Sequence, residues 1–161
     1  MKKTLLLLAA LLLTAVSQAQ NEQDFAARYM QLYAEGTSLV CTTVSPTMME
    51  KLLQLPAEEE ADEEAKSVLA QLKSIRVVTD TAANETSLLF EKAELLVQKN
   101  SDRYKPLFEQ EGKNVYVRRR GNYIVELVYF AKEEEGALQI VNLTGYMDEN
   151  FIARLLKIKE P

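Results

Sequence analysis

A single-domain α+β fold, with a mostly antiparallel or mixed sheet of about five to six strands and helices packed on one face, is the architecture this chain predicts. Helical and strand patterns alternate at first, and then strand-like segments follow one another from Tyr104 to Leu143 with only short turns between them. No internal repeat, low-complexity linker or second composition regime divides the chain. The stretch behind the first nineteen residues is long enough for one domain around one core.

The elements follow in order. Phe25, Tyr29, Leu32 and Tyr33 fall on one face of a helix that Gly36 can end. Leu39 to Val44 is rich in β-branched residues and reads as a strand. Ser45-Pro46 then supplies an N-cap with proline at the first helical position. The short helix behind it carries a stripe of Met48, Met49, Leu52 and Leu53 and stops at Pro56. Ala65, Val68, Leu69 and Leu72 repeat at helical spacing, and Ile75 and Val77 alternate with polar residues in a strand ending near Asp80. A longer helix, about Asn84 to Gln98, bears Leu89, Phe90, Ala93, Leu96 and Val97.

The period then switches to two. Tyr104 to Gln110 reads as a strand in which Pro106 marks an edge or a bulge. Val115 and Val117 define one face of the next strand, and Arg118-Arg119-Arg120-Gly121-Asn122 resembles a hairpin turn. Tyr123 to Phe130, interrupted only by Glu126, has the composition of a central strand buried on both faces. Lys132 to Gly136 forms a second charged turn, and Ala137 to Leu143 is another buried strand. Asp148 is placed to cap a last helix with Phe151, Ile152, Leu155 and Leu156.

Residues 1–19 have the grammar of a cleavable secretory signal. Lys2 and Lys3 form the positive start, Leu5 to Val16 an apolar run broken only by Thr14, and Ser17-Gln18-Ala19 a small-x-small site, so cleavage is expected between Ala19 and Gln20. A spanning anchor needs about twenty apolar residues, more than this run offers. Lipidation needs a cysteine at the cleavage point, where Gln20 stands. The domain is therefore expected to be residues 20–161, exported to the periplasm or secreted, with no membrane anchor.

Composition removes many chemistries. The chain has no histidine, so Ser-His-Asp and Cys-His catalysis, HExxH zinc helices and mixed His/Cys zinc sites are excluded. Neither GxxxxGK[ST], GxGxxG nor an EF-hand loop occurs. A net charge of −5, made more acidic by losing Lys2 and Lys3, argues against nucleic acid as a partner. The single cysteine, Cys41, has no intrachain disulfide partner. It reads as a small buried strand residue rather than a nucleophile.

Two charged segments invite a sharper assignment. The acidic run from Glu58 to Glu64 suggests a cation site, but acids suit the first turn of a helix and a solvated face. Arg118-Arg119-Arg120, with Tyr116 and Tyr123 nearby, could hold an anionic glycan or a peptide carboxylate. Strand alternation would send Arg119 away from Arg118 and Arg120, which favours a solvated hairpin tip.

Several segments together resemble one family. Val40 to Val44 running into Ser45-Pro46-Thr47-Met48-Met49, Tyr104-Lys105-Pro106-Leu107-Phe108, Asn114-Val115-Tyr116-Val117, Ile124-Val125-Glu126-Leu127-Val128 and Ile140-Val141-Asn142-Leu143-Thr144-Gly145-Tyr146-Met147-Asp148 follow its order. The chain is similar to the Bacteroidetes family of small exported proteins known as domain of unknown function 4252. That resemblance implies an envelope location and one α+β domain, and brings no activity or site residue with it. Asp80-Thr81-Ala82 also resembles the acceptor of Bacteroidetes O-glycosylation, which makes Thr81 a candidate modification site beside its capping-turn reading.

The expected function is a non-catalytic envelope module that binds a partner protein or peptide through a sheet edge or apolar groove, without cofactor or metal. The alternatives are a regulatory partner of an envelope-stress or sigma-factor system and a hydrolase using a pair of carboxylates.

Overall fold

The computed structural model describes residues 23–56, 60–82, 85–133 and 136–159. The leader with Ala19 and Gln20, and the start of the acidic run, lie outside the described residues. The elements are α1 (Phe25–Tyr33), β1 (Leu39–Val44), α2 (Pro46–Leu53), α3 (Glu60–Leu69), β2 (Leu72–Asp80), α4 (Thr86–Gln98), β3 (Lys105–Gln110), β4 (Lys113–Arg120), β5 (Tyr123–Lys132), β6 (Leu138–Met147) and α5 (Phe151–Lys159). The six strands form one open sheet in the order β1-β2-β6-β5-β4-β3. Every pairing is antiparallel. The family of folds is α+β, as expected. β3 to β6 run as a meander, and β6 then pairs with β2 to join the N-terminal strands to the C-terminal ones.

Alternation along the strands splits the core in two. Val128, Phe130, Ile140, Val78 and Tyr116 turn to one face, where α1 and α4 cover them with Phe25, Tyr29, Leu89, Ala93 and Leu96. Leu127, Leu143 and Val117 turn to the other, where Val68 of α3 and Phe151 of α5 pack. The expectation of helices on one face alone is therefore corrected. β5 and β6 are apolar at successive positions, which leaves a second surface that needs its own cover.

The five stripe residues of α4 are all buried. Shorter helices follow their patterns less well. Leu32 of α1, Met48 and Leu52 of α2 and Leu156 of α5 are exposed, while Met49 is the one residue of α2 that is buried. A helix of two or three turns touches its neighbours along a strip narrower than its apolar face. Leu72 belongs to β2 instead of extending α3, and still packs with Val68. Cys41 is half-buried against the larger core. Asp148 lies ahead of α5, where its side chain accepts from Asn150 N at 2.9 Å and its carbonyl from Phe151 N at 3.1 Å, so it meets the first amide of the helix.

Pro106 sits in the edge strand β3, next to a bulge between Pro106 and Phe108. The arginine triplet departs from expectation. β4 runs through Arg120, the turn is Gly121-Asn122 with Gly121 at φ 58°, and a bulge separates Arg118 from Arg119. Only Arg119 and Arg120 are exposed, so Arg118 is no solvated tip.

Candidate functional site

Glu126 occupies the middle of β5, where one acid among apolar residues is costly unless its oxygens are all met. Its side chain is 0% exposed, and four donors reach it. Oε1 accepts from Phe25 N at 2.6 Å and Asn142 Nδ2 at 3.0 Å. Oε2 accepts from Arg118 Nε at 2.9 Å and the Tyr104 hydroxyl at 3.1 Å. Burial, with the carboxylate beside it, pushes the Tyr104 hydroxyl well above its ordinary pKa, so Tyr104 remains a donor.

The same cluster closes the start of α1. The first amides of a helix have no partner within it. Here Phe25 N is met by Glu126, Ala26 N by Asn142 Oδ1 at 2.8 Å, and Ala27 N by Asp24 Oδ1 at 2.8 Å. Asp24 is in turn held by Arg76 Nε at 2.9 Å. Arg76 stands opposite Asn142, which stands opposite Val128, and Glu126 opposite Arg118, so neighbouring strands bring these groups to one face. Among the described residues no buried side-chain nitrogen or oxygen lacks a partner. Four donors take up the acceptor positions of this carboxylate, so the cluster clamps the start of α1 to the sheet.

Beside the clamp lies an open hollow of about 290 Å³. Lys73, Arg118 and Arg120 line it with Asp24, Thr144 and Tyr146. Lys73 Nζ stands 4.3 Å from the centre of the Tyr146 ring, and Tyr123 meets that ring edge-on at 6.3 Å. Gly145 passes under the turn into β2. A Cβ there would collide with the Gln71 carbonyl and come within 2.8 Å of Leu72 Cα. The Tyr146 N–H donates to that same carbonyl at 2.9 Å, which fixes the floor of the hollow.

A family model described as a domain of unknown function (DUF4252) matches residues 33–155. The chain belongs to DUF4252. The matched stretch of this DUF4252 chain includes Glu126, Asn142, Arg118 and the hollow-lining Tyr146, while Asp24 and most of α1 precede it. No curated protein and no solved structure matches the chain.

The residues singled out in the sequence are dispersed over this DUF4252 domain. Thr81 is exposed just past β2, its hydroxyl donating to the Ser38 carbonyl at 3.0 Å. The neighbouring Asp80 is buried instead, accepting from Ser38 Oγ and from Thr86 Oγ1 at 3.3 Å. Tyr116 is buried with its hydroxyl on Glu109 and is no part of the hollow's lining, whereas Tyr123 is half-exposed against the ring of the lining residue Tyr146. Asn142, Asp24 and Tyr104 belong to no functional motif that the sequence shows. The signal was present in Glu126 as a lone acid inside an apolar strand.

The two edges of the sheet differ. β3 carries Lys105, Pro106 and Glu109 besides its bulge, features that discourage pairing with another chain. β1 has no charge, no proline and an uninterrupted register with β2. Ser38 O accepts from Thr81 N, so alternation turns the N–H and C=O groups of Leu39, Cys41 and Thr43 away from β2. The Leu39 N–H reaches Thr37 Oγ1 at 3.4 Å. Among the described residues nothing bonds the outward N–H groups of Cys41 and Thr43.

Proposed function

We propose that this DUF4252 chain is an exported, non-catalytic domain that binds an extended segment of a partner polypeptide as an added strand along β1. The regular, uncharged outer edge of β1 carries this reading, because among the described residues nothing bonds the outward N–H groups of Cys41 and Thr43, and such groups are the template for strand addition. The commitment of Glu126 to four donors speaks for binding over catalysis. The leader at residues 1–19 supports export to the periplasm or beyond, and the net charge of −5 speaks against a nucleic-acid partner.

The test uses Thr43→Pro in the mature domain. Proline there removes an outward N–H while leaving the ladder to β2 whole, at the loss of one exposed 3.3 Å contact from Arg76. Immobilised wild-type domain is expected to retain an envelope protein saturably, and the variant to lose it with little change in Tm. Retention that is unsaturable, or equal for both proteins, overturns the reading.

A further inference from the structure

The hollow beside the clamp is separate from the β1 edge and stands on its own observations. Among the described residues its lining carries three cations, Lys73, Arg118 and Arg120, against one acid, Asp24, in a chain whose net charge is −5. Positive charge gathered in a concavity of an acidic protein attracts anions to it.

Arg118 and Lys73 are held in place. Arg118 is 19% exposed, and its Nε is fixed on the fully buried Glu126. A guanidinium has five N–H donors, and among the described residues the remaining ones of Arg118 make no hydrogen bond. The clamp therefore orients a planar fork at the hollow before any ligand arrives, which lowers the ordering cost of binding. Arg120 follows two residues later on β4, and Lys73 lies over the Tyr146 ring on the other side. The Thr144 hydroxyl, paired with Ser74 Oγ at 2.7 Å, adds a polar group to the lining. Asp24 is engaged by Arg76 and the Ala27 amide, so it leaves a single negative charge in the lining that disfavours a dianion more than a monoanion.

We infer that the hollow is a binding site for one carboxylate group, presented by a peptide, with the side chain next to it resting on Tyr146 and Tyr123. Planar forks match carboxylates in two-point contacts. At about 290 Å³ the hollow is just below the usual range for sites that enclose a drug-sized molecule, which suits one acidic residue and its neighbour. The carboxylate comes either from a chain terminus or from an acidic side chain.

The experiment is an NMR titration of the mature domain, residues 20–161, with ¹⁵N label. Three probes separate the sources: acetyl-Gly-Gly-Leu with a free terminus, the same peptide amidated, and an amidated peptide with an internal glutamate. Saturable shifts at the amides of Thr144, Gly145 and Tyr146 are expected with one or both acidic peptides and not with the neutral one. Arg120→Glu and, independently, Lys73→Glu are expected to weaken binding about tenfold or more, as loss of a charge-assisted contact does. Both side chains lie outside the clamp, so the spectra of the variants should otherwise keep their dispersion. No saturable shift at those amides, equal shifts with the amidated neutral peptide, or wild-type affinity in both variants overturns the inference. So does inorganic phosphate binding there as tightly as the acidic peptides. None of these results bears on strand addition at β1, which Thr43→Pro tests alone.

Discussion

Glu126 holds the amide of Phe25, the side chain of Asn142, the guanidinium of Arg118 and the hydroxyl of Tyr104 at once. Glu126→Ala strands Arg118 without its counter-charge and leaves the Phe25 amide unmet. It is expected to cost about 3–5 kcal/mol in chemical denaturation; a loss below about 1 kcal/mol would show that the cluster contributes little. Tyr29 and Tyr104 give the fold an alkaline limit. Burial is the main cause that raises both hydroxyls above the ordinary value, with nearby acidic groups adding to it. A raised native pKa leaves stability intact below the unfolded value, near pH 10, and drains it above, where the unfolded phenols ionise and the folded ones stay neutral. Tm should hold from neutral pH to about pH 9 and fall progressively beyond about pH 10; a flat profile through that range would contradict the assignment. Gly145 has no room for a methyl group, because backbone atoms of Gln71 and Leu72 stand in its place. Gly145→Ala should therefore destabilise toward the upper end of about 1–3 kcal/mol, read as a shift of the urea midpoint. At this scale little was legible beforehand. Glu126 stood out only as an interruption of an apolar run, since period-two patterning says which residues share a face and nothing about which donors will surround them.

Elements were legible in proportion to their length and regularity. α4 shows its buried stripe in full because it lies along the sheet over several turns. Pro106 marked an edge and a bulge because a missing N–H has few other places in a sheet. α2, by contrast, buries Met49 and exposes Met48 and Leu52, since periodicity identifies an apolar face but not how much of it finds a partner. The arginines of β4 misled for a related reason. A charged tripeptide before Gly-Asn has the composition of a turn, and only the partner at Glu126 explains why Arg118 belongs in the strand. β1 offers a check on alternation itself. Thr42→Pro deletes an N–H on the β2 side, whereas Thr43→Pro deletes one on the open side. Thr42→Pro is expected to lose about 1 kcal/mol or more beyond Thr43→Pro, measured by thermal unfolding; equal losses would mean that the outer and inner sides are assigned the wrong way round.

For the molecule as a whole, the order of elements and the α+β class were readable because each strand and helix carried its own pattern. The second covered face was not, because an apolar strand is consistent with cover by helices or by another sheet. Export and modification meet in one measurement. Protein purified from its native host is expected to have the mass of residues 20–161, and any hexose-containing increment should vanish in Thr81→Ala, as the exposed Thr81 hydroxyl predicts. A mass that retains residues 1–19 would remove the basis for an exported protein. The clamp at α1 has a kinetic side as well. Its bonds join Phe25 to a residue 101 positions away and Ala26 to one 116 positions away. Contacts so distant along the chain form late and slow the search. A chain delivered N-terminus first must hold α1 without its sheet-borne caps until β6 has emerged, so the domain reaches its final form only after nearly all of it has been handed over.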